Sequence, residues 1–248
     1  MTITTTTTIT EISKRARPVN AILFDLDGTL MHTAPDIAAA INLMLADYNL
    51  PPVSETVVAN RIGRGSPILV ERVFNLLEVP MAAAQLHLAL KAFQHHYGEI
   101  VGSHARLYPG VADALGVLRR MDLKLAIVTN KDYHLSLRLL QQFQISSLFD
   151  LVVGGDTLEA RKPSPLPILH ACDSLGVAVS EAIYIGDSPI DAEAANAAGI
   201  PIFCVPYGYR EGHPLSFLDC DGFIDSLADI PQLIAGSFDA NLRRAVAP

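Results

Sequence analysis

The chain has 248 residues, half of them hydrophobic, and a formal net charge of -8. That is enough for a sizeable core in one large domain or two smaller ones. The acidic balance, with no basic stretch longer than Lys14-Arg15-Ala16-Arg17, argues against a nucleic-acid partner. No apolar run reaches the ~18 residues of a membrane span, so no membrane partner is expected. Cys172, Cys204 and Cys220 lack CxxC spacing and read as small hydrophobes in a reducing, cytoplasmic protein.

Residues 1–17 are threonine-rich, have no apolar signal segment, and are expected to be a poorly ordered extension, or an edge strand through their Thr/Ile alternation. Five short apolar runs follow, at 21–24, 123–128, 151–153, 182–185 and 202–205, with a weaker sixth at 222–224. Helical patterns separate them, such as Val111, Leu115 and Leu118, then Leu135, Leu139 and Phe143. Alternation of this kind predicts an α/β fold, a doubly wound parallel sheet with helices on both faces. Residues 34–104 break the rhythm: they hold helical patterns (Ile37, Ile41, Leu45; Leu69, Val73, Leu76, Leu77) punctuated by Pro51-Pro52 and Pro80, and no strand. Such an insertion is too long for a simple crossover. It predicts a second, smaller all-helical cap domain over 34–104, set into a core formed by 18–33 and 105–248. The cap would leave the core just behind Asp25 and Asp27, placed to cover them.

Polar clusters follow the strands: Asp25 and Asp27; Thr129-Asn130-Lys131; Arg161-Lys162-Pro163; and Gly186-Asp187-Ser188-Pro189-Ile190-Asp191. In open α/β sheets ligands bind beyond the carboxyl ends of the strands, so these clusters should converge on one edge. The residue types suit phosphoryl transfer. Asp25 can attack phosphorus and form an aspartyl-phosphate, while Asp27 protonates the leaving alkoxide and then activates water. Asp25 and Asp187, with Asp27 counted beside them, are the expected ligands of a Mg2+ ion that relieves the repulsion between carboxylate and phosphate. Lys162 adds a fixed positive charge, and Thr129 and Asn130 offer hydrogen bonds to phosphate oxygens. Asp191, one turn into a helix begun by Pro189 and ended by Gly199, is expected to point back and support the metal site together with Ser188, or else to be an ordinary acidic helix start.

Three further features are open to two readings each. Lys131 is either solvated or a contact to an anionic substrate tail. Gly63-Arg64-Gly65 is not a P-loop. It is either a turn between helices or a cap loop that offers Gly63 N–H and the Arg64 guanidinium to a substrate carboxylate. His95-His96 makes no zinc pattern and reads as the wet side of a cap helix.

Taken in order, Asp25-x-Asp27-Gly28-Thr29, Thr129-Asn130, Lys162-Pro163 and Gly186-Asp187-(x)3-Asp191 resemble the four motifs of the haloacid dehalogenase superfamily, over about residues 19–235. The helical insertion resembles that superfamily's cap. Thr33-Ala34-Pro35-Asp36, Ile62-Gly63-Arg64-Gly65, Gly154-Gly155-Asp156 and Pro206-Tyr207-Gly208-Tyr209 are similar to phosphoglycolate phosphatases. His32, where relatives usually carry Asp, and Arg64, where they carry a small polar residue, depart from the pattern. The resemblance implies a Mg2+-dependent phosphatase acting on a small-molecule phosphate ester, 2-phosphoglycolate first among them, as a monomer or homodimer. Sugar-phosphate phosphatase, phosphomutase and a non-catalytic binding module are the alternatives. Dehalogenases normally lack the second acid of the first motif, so Asp27 favours the phosphate ester.

Overall fold

The computed structural model describes residues 19–235, and the extension expected at 1–17 lies outside them. In chain order the strands are β1 (Ala21–Phe24), β2 (Met31–His32), β3 (Arg106–Leu107), β4 (Lys124–Val128), β5 (Leu151–Val153), β6 (Ala182–Gly186), β7 (Ile202–Cys204) and β8 (Gly222–Phe223). The helices are α1 (Ala34–Asp47), α2 (Glu55–Ala59), α3 (Ser66–Leu76), α4 (Ala83–Ile100), α5 (Val111–Arg120), α6 (Tyr133–Gln142), α7 (Leu166–Leu175), α8 (Pro189–Ala198) and α9 (Ile230–Ala235). Six strands form one sheet in the order β5-β4-β1-β6-β7-β8, every pair parallel. All six apolar runs of the sequence are therefore strands, displaced by at most a residue or two at their ends.

Helices cover both faces of the sheet, so its central strands are apolar throughout rather than alternating. Ile22 and Phe24 of β1 enter one buried cluster, shared with the cap helices, while Ala21 and Leu23 enter the other. The same alternation places Ile183 and Ile185 on the first side and Ala182 and Tyr184 on the second. Register is what builds the site. Phe24 pairs with Ile127 on one side and Ile185 on the other, so β1, β4 and β6 end almost level. Asp25, Thr129 and Asp187 then leave the sheet along a single edge.

The four helices α1–α4 lie between β2 and β3 and form the cap. Both chain crossings between cap and core run side by side as an antiparallel ribbon, with Met31 opposite Leu107 and His32 opposite Arg106. Asp36, fully buried in the first turn of α1, accepts the N–H groups of Gly102 (2.8 Å), His104 (2.7 Å) and Ala105 (3.1 Å). It thereby fastens the end of the cap to its beginning, since a buried carboxylate without such donors would be costly. Leu76, grouped with the apolar pattern in the sequence, is exposed at the end of α3. His96 faces Asp47 at 2.7 Å, and His95 is exposed.

Candidate active site

A turn begins directly after β1. Leu30 N–H and Met31 N–H both bond Leu26 C=O, which folds the chain back at Asp27. Gly28 lets this turn press on the next motif, because a Cβ there would lie 2.3 Å from Asp187 Oδ2. Asp187 itself opens the turn from β6 into α8, where the Ser188 hydroxyl caps the helix and Pro189 starts it.

Lys162 sits at the centre of one network. Its ammonium donates to Asp25 Oδ1 (2.8 Å), Asp191 Oδ1 (2.6 Å) and the Tyr184 hydroxyl (2.8 Å), and the Tyr184 hydroxyl donates to Val128 C=O (2.7 Å). Burial works against the charge on Lys162, but Asp191 and Asp25 outweigh it and push its pKa up to about 12. The other oxygen of Asp191 accepts from Ser188 Oγ (2.6 Å), Ser188 N (3.1 Å) and Asp187 N (3.2 Å). Burial alone would raise Asp191, yet Lys162 and these donors hold it below the usual carboxylate range.

Asp25, Asp187 and Asp191 are all buried, and one carboxylate oxygen from each lies within 4.8 Å of the others. Burial, partly offset by Lys162, pushes Asp25 up to about 6. Burial and the neighbouring charges of Asp191 and Asp25 push Asp187 well above its ordinary value, despite donors at Thr29 Oγ1 (2.7 Å) and Tyr209 N. Three buried carboxylates thus face a single ammonium, and the surplus negative charge suits a divalent cation. Asp191 takes the Lys162 ammonium on one oxygen and three further donors on the other, whereas Asp187 has one neutral donor on each oxygen and Asp25 keeps Oδ2 free of protein donors, so Asp25 and Asp187 are the carboxylates better placed to hold such an ion. Asp191 sits between Lys162 and Ser188, whose hydroxyl and N–H both donate to it.

The expectation for Asp27 needs correcting. Its carboxylate is not in this cluster: Lys131 Nζ lies 3.1 Å from both its oxygens, and Thr33 Oγ1 donates to it at 2.7 Å. The turn at Leu26 swings it to the other side of Asp25, so it is no side-chain ligand of the same ion. Lys131 also donates to the Tyr97 hydroxyl of α4 (2.5 Å), which brings a cap residue into the site. Burial disfavours the Lys131 charge, but Asp27 and Tyr97 outweigh it and raise its pKa.

Asp25, Asp27, Thr129, Asn130 and Lys131 from the core share a small cavity of about 40 Å³ with Gly63, Gly65, Phe93 and Tyr97 from the cap. Lys131 is therefore buried in the site rather than solvated. Two other expectations change. Asn130 spends both amide hydrogens on Gly63 C=O (2.9 Å) and Lys162 C=O (2.8 Å), so its side chain has no donor left for a phosphate. Arg64 does not line this cavity. Its guanidinium instead grips the carboxylate of Glu211 (Nε to Oε1 3.0 Å, Nη2 to Oε2 3.2 Å).

A haloacid dehalogenase-like hydrolase family model matches residues 22–205, a span that takes in all four polar clusters. The chain belongs to that family. A phosphoglycolate phosphatase of Thiobacillus denitrificans is 43% identical over 218 residues, 88% of this chain and 96% of that protein. The crystal structure of a predicted phosphoglycolate phosphatase from Haemophilus somnus is 34% identical, covers 87% of this chain and 97% of that one, and superposes with a TM-score of 0.82. CbbY from Rhodobacter sphaeroides in complex with phosphate is 25% identical, covers 86% and 97% respectively, and gives a TM-score of 0.74. The hydrolase is accordingly a phosphatase, a phosphoric monoester hydrolase.

Several residues of the site escaped the sequence reading. Tyr184 carried a usable signal: a phenol inside a buried apolar strand must find a hydrogen-bond partner. Tyr97 carried none, since it reaches Lys131 from the cap helix α4; Thr33 and Tyr209 stand in strings already singled out, and only their contacts with Asp27 and Asp187 were not legible.

Proposed function

We propose that this hydrolase cleaves 2-phosphoglycolate to glycolate and phosphate, with Mg2+, through an aspartyl-phosphate on Asp25. The observation that carries the reading is the cavity shared by Asp25, Asp27, Thr129 and Lys131. Lys131, paired with Asp27 rather than with Asp25, places a buried ammonium in that cavity, which suits a substrate with a second negative group.

In this reading Asp25 Oδ2, the oxygen not held by Lys162, attacks phosphorus, and the bond to the glycolate oxygen breaks. Asp27 gives that oxygen a proton and afterwards takes one from the water that hydrolyses the aspartyl-phosphate. Thr129 Oγ1 accepts from Lys131 N (3.3 Å) and keeps its own proton to donate to a phosphate oxygen. Lys131 and Tyr97 hold the substrate carboxylate, a role first expected of Arg64. Mg2+, held by Asp25 and Asp187, supplies the positive charge that lets two anions approach. Residues 34–104 act as the cap that closes over this chemistry, and the segments on either side form the core. All three cysteines are free, which supports a reducing, cytoplasmic setting.

A panel of phosphate monoesters ranked by kcat/KM, with and without EDTA, tests the proposal. The expected result is that 2-phosphoglycolate leads and EDTA abolishes turnover. A sugar phosphate leading by ten-fold or more would overturn the substrate assignment.

A further inference from the structure

We infer that Glu211 is a positioning residue that clasps the cap to the core and thereby fixes the loop forming one wall of the catalytic cavity. The inference rests on the reading of that cavity as the phosphatase site.

Glu211 stands on the core loop between β7 and β8, two residues beyond Tyr209. Its side chain is only 6% exposed, while Arg64 and Arg72, both from the cap, are about one-third exposed. Arg64 meets it with two parallel bonds, and Arg72 Nη1 bonds the same Oε1. Bidentate arginine–carboxylate pairing fixes orientation as well as distance. Burial would raise the Glu211 carboxyl, yet the two arginines outweigh it and hold it below its usual range.

What the clasp holds is the cavity wall. Arg64 lies between Gly63 and Gly65, which line the cavity together with Ser66 and Leu69. Both glycines have positive φ, 132° and 85°, and Gly65 gives α3 no side-chain cap. Within itself the loop therefore has little to set its shape. Its anchors are on the core: Asn130 holds Gly63 C=O, and Glu211 holds Arg64. Arg72, on α3 two turns past Gly65, ties the helix behind the loop to the same carboxylate. Asn130 and Asp132 hold the two ends of the loop through Gly63 and Ser66, and Glu211 is the core side chain that ties loop and helix together, through Arg64 and Arg72.

The test is Glu211→Gln in the full chain, which keeps the shape and removes the charge. Because the loop touches the substrate pocket, KM should rise and kcat fall together, lowering kcat/KM for 2-phosphoglycolate roughly ten- to hundred-fold. Amide hydrogen exchange should quicken at residues 62–66 and stay unchanged in β1 and β6. Arg72→Met, on the cap side of the clasp, should move both readouts in the same direction and keeps the test open should Glu211→Gln fold poorly. Wild-type kcat/KM in both variants, or exchange that quickens in the sheet as much as in the loop, would overturn the clasp. If the wild-type protein turns over no phosphate monoester, the reading of the site fails instead, and exchange at 62–66 still decides the clasp.

Discussion

Asp187 and Asp191 lie one turn apart on the same helix start, yet replacing each by asparagine should have opposite consequences. Asp191 accepts from the Lys162 ammonium at one oxygen and from the Ser188 hydroxyl, Ser188 N–H and Asp187 N–H at the other. An asparagine must turn its NH2 group towards one of these sets, setting donor against donor. Removing one charge of a buried pair costs about 3–5 kcal/mol. For a chain of this length that lowers the thermal midpoint by about 6–20 °C. Asp187 differs because its partners tolerate an amide. With the amide oxygen turned to Tyr209 N–H, the NH2 faces Thr29 Oγ1, which can accept. The change also removes one charge from a site where three carboxylates face one ammonium. Metal-free Asp187→Asn should therefore unfold at or above the wild-type temperature and lose the rise that Mg2+ produces. Thermal unfolding near neutral pH, in EDTA and in Mg2+, measures both. Wild-type stability in Asp191→Asn, or an Asp187→Asn protein that falls as far as it does, would refute the division into a bracing residue and a metal ligand.

Lys131→Met should lower kcat/KM for 2-phosphoglycolate by roughly ten- to hundred-fold more than for p-nitrophenyl phosphate, because a charge-assisted bond of about 1.5–3 kcal/mol is lost only where the substrate carries a carboxylate. An equal loss on both esters would remove the tail-binding role. Asp25, raised from 3.8 to about 6 in the folded protein, contributes stability that is present below 3.8 and lost as pH rises through about 6. Mg2+ needs the ionised carboxylate, so the midpoint rise it gives should be larger at about pH 8 than at about pH 5. The same rise at both would count against Asp25 as a ligand.

Much of the fold was legible because its strands are buried on both faces and bracketed by turn residues, as with Ala21–Phe24 before Asp25 and Ala182–Gly186 before Asp187. The convergence of Asp25, Thr129 and Asp187 followed from strand-end positions, whereas Lys162 is brought in by the loop after β5. Orientation was the part the sequence withheld. Residues two apart on an extended strand share a face, so Asp25 and Asp27 read as partners at one ion. The chain stops being extended at Leu26, and Asp27 turns to Lys131 and Thr33 instead. Arg64 was expected to read a carboxylate and does, but the carboxylate is Glu211, 147 positions away. Asn130 shows the same limit: its amide type was legible, whereas its engagement with Gly63 and Lys162 depends on how two other loops fold.

The claim on which the account depends is that Asp25 carries the phosphoryl group. Acid quench of the enzyme during turnover of 2-phosphoglycolate, followed by peptide mass spectrometry, addresses it directly. The account predicts one phosphoryl group on the peptide containing Asp25, and neither adduct nor turnover in Asp25→Asn, whose fold is retained. A phosphoryl group on any other residue, or undiminished turnover in Asp25→Asn, would contradict it.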